Sequence, residues 1–236
     1  MNNCVIVIPC YNEGNRLDTT VFTEFMLQNP AIKFIFVNDG SSDNTGEVLK
    51  QLCRNTSSSY IELANNSGKA EAIRQGMLAI RGDDIKWVGF WDADLATPLD
   101  EILRMLNSAN EKTLYLSGCR LLRLGGQIQR KWYRHLLGRL FATVIAWRLR
   151  LAVYDTQCGA KLFAASEKEY LFREKFITHW FFDVEILQRF IKRYGHSEFI
   201  SRSVEVPLNS WKDVSESKLR YFTCLKDFIK LLWNSK

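Results

Sequence analysis

The chain has 236 residues, 47% of them apolar and 25% charged, with a formal net charge of +6. Such a length and composition suit a globular chain with its own hydrophobic core and exclude a disordered or fibrous polymer. No run reaches the roughly 18 consecutive apolar residues that span a bilayer, so the protein is expected to be soluble or peripheral. The opening MNNCVIVIPCYNEG lacks a basic leader and reads as a strand rather than a signal peptide. The six cysteines are scattered without C-x-x-C spacing, and the three histidines are not clustered with them. Reduced thiols in a reducing compartment are expected, and no zinc site.

In chain order, the first half alternates strand-like runs with helical patterns. Strands are expected at 4–9, 33–38, 59–63 and 86–92, and helices around 14–28, 43–53, 68–80 and 98–109. That alternation predicts an α/β fold with a largely parallel sheet flanked by helices. Ligands of such sheets bind beyond the carboxyl ends of the strands. The segments there are PCYNE, NDGSSD, ANNSGK and DADLATP, all polar, acidic or glycine-bearing.

Each segment has a chemical and a plain reading. Asp92 and Asp94 sit just past an apolar strand, where two carboxylates can hold Mg²⁺ or Mn²⁺ if a diphosphate supplies the remaining oxygens. Alone, a D-x-D pair is more often a solvated loop; its place after a buried strand favours the ligand reading. Asp39 can accept hydrogen bonds from a base or ribose, while Ser42 or Asp43 caps the next helix. Lys69 opens a helix after Asn66-Ser67-Gly68, a position suited to a phosphate but lacking Walker A spacing.

The second half is basic. From Lys112 to Tyr154 there is no Asp or Glu, against nine Lys and Arg residues. One long helix is expected over 127–151, with Tyr133, Leu136, Leu137, Leu140, Val144, Trp147 and Leu151 on its apolar face. A helix near 182–193, a strand near 198–206 and a last helix over 217–233 follow. The basic stretch suits an anionic partner: an ordinary packed helix with solvated charges, a nucleic-acid surface and a membrane-surface helix all compete. No recognition motif accompanies the basic residues, so no nucleic-acid partner is expected.

The order P-x-Y-N-E, V-N-D-G-S-x-D-x-T, N-x-G-K and D-A-D resembles the inverting family 2 glycosyltransferases of GT-A fold. Ser117–Arg120, Asp155–Phe163 (DTQCGAKLF), Trp180–Glu185 and Ser217–Leu219 resemble the dolichyl-phosphate β-glucosyltransferases and other polyprenyl-phosphate sugar synthases. The resemblance covers nearly the whole chain, and the DTQCGAKLF run is its most specific part. It implies one GT-A domain, with residues 1–111 for the nucleotide-sugar and 112–236 for the acceptor and the membrane surface. Pro9, Tyr11, Asn12, Glu13 and Asp39 are implied around a uridine-type nucleoside, with Lys69 as anchor. Asp92 faces ribose or metal and Asp94 ligates the metal. Arg120 meets phosphate oxygens, Asp155 and Gln157 line the acceptor side, and Lys218 contacts phosphate. The mannose synthases place Gln as a third metal ligand where this chain has Ala96, so the resemblance supplies no third ligand here. The resemblance implies membrane helices that bacterial relatives often carry at the C-terminus and the eukaryotic glucosyltransferase at the N-terminus; neither is expected within this sequence.

The expected reaction is a single displacement with inversion: an acceptor oxygen attacks the anomeric carbon of a nucleotide-sugar such as UDP-glucose. A phosphate monoester acceptor, with a second pKa of about 6, needs no strong base. A hydroxyl acceptor on a cell-surface glycan needs one, with Asp183 first and Asp155 second. The basic, aromatic helix then favours a peripheral position at the cytoplasmic face of a membrane. A non-catalytic membrane-binding module is the rival of another class.

Overall fold

The computed structural model describes residues 3–129, 132–213 and 227, with the side chains of 132–137 excepted. In chain order the elements are β1 (Cys4–Cys10), α1 (Thr19–Gln28), β2 (Ile32–Asn38), α2 (Thr45–Arg54), β3 (Ser59–Glu62), α3 (Lys69–Ala79), β4 (Trp87–Phe90) and α4 (Asp100–Asn107). There follow β5 (Tyr115–Cys119), β6 (Gln127–Gln129), α5 (Trp132–Leu149), β7 (Lys161–Ala164), a short 3₁₀ turn (Ala165–Glu167), α6 (Lys168–Phe172), α7 (Phe182–Tyr194), α8 (His196–Ser201), β8 (Ser203–Pro207) and β9 (Ser210–Lys212). Two compact units emerge: Met1–Leu95 with Leu162–Lys175, and Ala96–Lys161 with Phe176–Lys236.

In the first unit β3, β2, β1 and β4 lie side by side, each pair parallel. β1 and β2 are almost wholly buried, as expected of central parallel strands made of Val, Ile and Phe. Phe22 of α1 meets Phe34 and Phe36 of β2 edge-on at 5.6 and 5.1 Å. These contacts bury α1 against one face of the sheet. Asp18 caps that helix by accepting the N–H of Val21 at 3.1 Å. α3 packs unusually close: a Cβ at Gly76 would stand 2.4 Å from Val7 Cγ1 and 2.9 Å from Val37 Cγ2. Only glycine allows this helix to lie so near β1 and β2.

In the second unit β5 and β8 pair in parallel, and β6 pairs with β9. α7 carries Asp183 and Glu185 in its first turn and Lys192 and Arg193 in its last, the charge order that a helix dipole favours. Gly195, at φ 75°, ends it.

The mixed α/β expectation is met, and all eight elements of the first half appear, seven near their expected bounds and α1 starting at Thr19 rather than around 14. Three later expectations need correction. The helix expected from 127 begins at Trp132, because Gln127–Gln129 pairs with Ser210–Lys212 as a strand. The strand expected near 198–206 is half helix, α8 ending at Ser201 before β8 begins. Among the described side chains of α5, Ala142, Ile145 and Leu149 are buried, whereas Leu140 and Trp147 of the expected apolar face are 61% and 79% exposed; Leu151, just past the helix, is buried as expected, and the side chains of Tyr133, Leu136 and Leu137 lie outside the described residues. The last helix, over 217–233, lies outside the described residues except for Asp227.

Candidate functional site

In the first unit the loops after β1 and β2 are laced together by backbone and short polar side chains. The N–H of Asp39 donates to the Cys10 carbonyl at 2.8 Å. The N–H of Asn12 donates to Ser41 Oγ at 2.9 Å, and the Asn12 side-chain oxygen accepts the Ser42 N–H at 2.9 Å. The N–H groups of Glu13 and Gly14 donate to Thr45 Oγ1 and Asp43 Oδ2 at 2.8 and 3.1 Å. Asn12 holds φ 52° to make these bonds, a conformation that asparagine tolerates. Pro9, Tyr11, Asn12 and Glu13 are all half-buried along this edge.

The N-cap of α2 is Asn44 rather than the expected Ser42 or Asp43; Asp43, just before it, accepts the Thr45 N–H at 3.0 Å. Slight burial raises its carboxyl, but the bonds from Thr45 and Gly14 outweigh this and hold it below the ordinary value. Asp39 is 3% exposed, and its two oxygens accept the N–H groups of Ser67 and Gly68 at 2.7 and 2.8 Å. Burial pushes this carboxyl up, against the pull of those two bonds. Asp39 therefore anchors the start of α3 to the end of β2. Gly40, at φ +61°, makes room: a Cβ there would stand 2.5 Å from backbone atoms of Asn65 and Asn66.

Lys69, the first residue of α3, forms an ion pair with Asp92. Past β4 the chain turns sharply, with the Leu95 N–H on the Asp92 carbonyl at 3.4 Å and Leu95 at φ 53°. Trp91 and Ala93 point into the core while Asp92 and Asp94 stay partly exposed. This donor set fits a hard divalent cation in one respect: Asp92 and Asp94 offer carboxylate oxygens two residues apart. Among the described residues no group of three or more His, Cys, Asp or Glu is arranged for a metal. A cation at this turn would need oxygens from a bound diphosphate.

In the second unit Arg120, just past β5, grips Asp155 through Nε–Oδ2 at 2.6 Å and Nη2–Oδ1 at 2.8 Å. The guanidinium also lies 5.3 Å from the centre of the Trp211 ring. Asp155 Oδ1 accepts the Gln157 N–H at 3.1 Å, closing a tight turn. Among the described residues, Gln157 Nε2 and Thr156 Oγ1 are buried and make no hydrogen bond. Glu205 on β8 accepts the N–H groups of Tyr154 and Asp155 at 2.8 and 2.7 Å. Burial, reinforced by the nearby Asp155 charge, pushes Glu205 above the ordinary glutamate range despite those bonds.

Asp183 is 6% exposed and pairs with the fully buried Lys161 at 3.0 Å. Glu185 accepts the N–H groups of Ile177 and Thr178 at 2.9 and 2.7 Å, a structural cap. Lys218 lies outside the described residues. The structure places Pro9, Tyr11, Asn12, Glu13, Asp39, Lys69, Asp92 and Asp94 in the first unit, and Arg120, Asp155, Gln157 and Asp183 in the second. The sequence reading assigns no role to Lys161 or Glu205. The sequence signal for Lys161 is its place in the DTQCGAKLF run, the most specific part of the resemblance, which implies no role for this lysine.

Comparison with known proteins agrees with this architecture. Residues 5–171 match the family described as glycosyl transferase family 2. A dolichyl-phosphate β-glucosyltransferase of Trichomonas vaginalis is 30% identical over 241 residues, covering 96% of this chain and 68% of that protein. The human dolichyl-phosphate β-glucosyltransferase is 30% identical over 232 residues, covering 91% and 68%. Glucosyl-3-phosphoglycerate synthase from Mycobacterium tuberculosis, in complex with uridine diphosphate, superposes with a TM-score of 0.70 at 16% identity, over 98% of this chain and 80% of that one. This last likeness shows a shared fold, and the GT-A expectation holds. The chain belongs to glycosyl transferase family 2 and is a glycosyltransferase.

Proposed function

We propose that the protein moves a hexose, with glucose the first donor to test, from a UDP-sugar to a dolichyl or other polyprenyl phosphate, inverting the anomeric carbon. The acceptor phosphate oxygen forms the new bond to that carbon as the bond to the diphosphate breaks and UDP departs. The names of the relatives support the lipid phosphate. The observation that carries the choice is the state of the two carboxylates able to serve as a base: Asp155 is gripped by Arg120 and Asp183 by Lys161. A cation beside a carboxylate stabilises its ionised form and makes it a poor proton acceptor. A hydroxyl acceptor needs a base, whereas a phosphate monoester brings its own charged oxygen.

The donor group is the set on the first unit. Pro9, Tyr11, Asn12 and Glu13 flank the nucleoside, and Asp39 holds the loop edge beside it. Lys69 sits at a helix start suited to the diphosphate. Asp94, with Asp92, would hold Mg²⁺ or Mn²⁺, which supplies neutralisation of the charge building on the leaving UDP. A crystal of the M. tuberculosis synthase contains Mn²⁺ and uridine diphosphate, which supports a divalent ion in this fold. On the second unit Arg120, oriented by Asp155, meets phosphate oxygens, with Gln157 Nε2 as a further donor and Lys218 as a second cation. The exposed Trp147 and Leu140 among basic residues on α5 support a peripheral position on the cytoplasmic face of a membrane.

Matched acceptors test the choice. With a UDP-sugar and Mn²⁺, a polyprenyl phosphate should accept sugar while the corresponding free polyprenol does not. Equal transfer to the polyprenol, or transfer only to glycan hydroxyls, would overturn the phosphate reading.

A further inference from the structure

Lys161 has no solvent exposure at all. Its ammonium group donates to the carbonyls of Thr156 at 3.1 Å and Cys158 at 2.5 Å and meets Asp183 Oδ1 at 3.0 Å. An ammonium has three N–H bonds; two hydrogen bonds reach these carbonyls, and the Asp183 carboxylate stands beside the group as its counter-charge. Removing a charge from water is costly, so a buried lysine persists only where a counter-charge and hydrogen bonds replace the water. The two carbonyls it holds lie on either side of Gln157. On the other flank of the same turn, Glu205 holds the N–H groups of Tyr154 and Asp155.

We propose that Lys161 is a positioning residue: its buried ammonium fixes the Asp155–Gln157 turn, and Asp183 serves as its counter-ion rather than as a proton acceptor. The consequence passes outward through the backbone. With Thr156 and Cys158 pinned, the Gln157 N–H stays on Asp155, and Asp155 stays in register with both arms of Arg120. The buried side-chain amide of Gln157 takes its direction from the same two carbonyls. Asp183, near the start of α7, sets the point in space to which Lys161 reaches. The kinetic consequence rests on the phosphate-transfer reading; the structural one does not.

Amide hydrogen exchange of the full chain tests this directly, beside acceptor kinetics. Lys161→Met keeps the apolar stem and removes the donors; Lys161→Met with Asp183→Leu also removes the carboxylate that would otherwise be left buried and unpaired. Circular dichroism confirms that each variant is folded. Both should exchange the amides of 156–160 faster by about tenfold or more, the loss expected for a hydrogen-bonded clamp, while β1 and β2 keep their protection. Asp183→Asn, which leaves both carbonyl bonds, should loosen the turn less. In transfer assays the acceptor KM should rise about tenfold with the donor KM unchanged. Unchanged exchange at 156–160 in the folded double variant would overturn the proposal. So would an even loss of kcat with both KM values intact. Wild-type protein that transfers to no acceptor would sink the functional reading, leaving the exchange result to decide the role of Lys161.

Discussion

Arg120 and Asp155, 35 residues apart, form a two-pronged ion pair in which the guanidinium and the carboxylate lie side by side, 12% and 9% exposed at the side chain. A planar fork matched to a planar acceptor is a geometry that lysine cannot reproduce. Arg120→Lys should therefore behave almost as badly as Arg120→Ala. Both should lower kcat/KM for a lipid phosphate by about 100-fold, as expected when a charge partner of the reacting phosphate is lost. Lysine restoring most of the activity would show that only charge is required.

Asp94→Ala should lose metal-dependent donor binding. Calorimetry with UDP should show affinity that rises with Mn²⁺ in the wild type and no longer responds in the variant, with turnover reduced on the order of 100-fold. The same UDP affinity with and without Mn²⁺ in the wild type would remove the metal from the site.

Gly40→Ala brings a Cβ against the backbone of Asn65 and Asn66 and forces alanine to a φ of +61°. It should cost more than about 1 kcal/mol in urea denaturation. Because Asp39 anchors Ser67 and Gly68 next door, UDP binding should weaken too. Wild-type stability in this variant would mean that the two loops do not approach so closely.

Glu205 supplies a pH test. Its carboxyl is raised above the ordinary 4.5 by burial. The unfolded chain ionises this group near 4.5, and burial moves its ionisation in the folded protein to higher pH. Between 4.5 and the raised value the folded state binds more protons, so stability falls as pH rises across that window. Glu205→Gln should remove this part of the slope in urea midpoints measured from about pH 4 to 7. Wild type and variant running parallel would contradict the assignment.

The first unit was largely legible because its signals are local. β1 and β2 are short apolar runs ended by polar turns, and α2 starts just after the polar Ser42-Asp43-Asn44 run, its N-cap one residue later than Asp43. The misses depend on partners distant in sequence. Gln127–Gln129 becomes a strand only through Ser210–Lys212, and nothing at 127 announces that pairing. In the described part of α5 the expected face differs because size and apolarity select Leu140 and Trp147, while the packing buries the smaller Ala142 and Ile145. Asp39 was legible as a special carboxylate, but its grip on Ser67 and Gly68 requires the fold. Lys161, though inside the DTQCGAKLF run, and Glu205 gain a role only once their buried partners are seen, because a charge in a strand otherwise reads as a solvated edge.

The exposed side of α5 offers a further test. Trp147→Ser and Arg148→Glu should weaken binding to vesicles containing anionic lipid. Each basic group near such a surface contributes about 1 kcal/mol, and raising the salt should weaken wild-type binding similarly. Equal binding to neutral and anionic vesicles would contradict an electrostatic attachment.

Transfer of sugar into a lipid phase tests the central claim most directly. Purified protein, labelled UDP-glucose, Mn²⁺ and a polyprenyl phosphate in detergent are incubated, with EDTA and Asp94→Ala as controls. Label should appear in the organic phase, vanish with EDTA and be nearly absent with Asp94→Ala. Donor binding without any lipid product, across a panel of UDP- and GDP-sugars, would contradict transfer to a lipid phosphate.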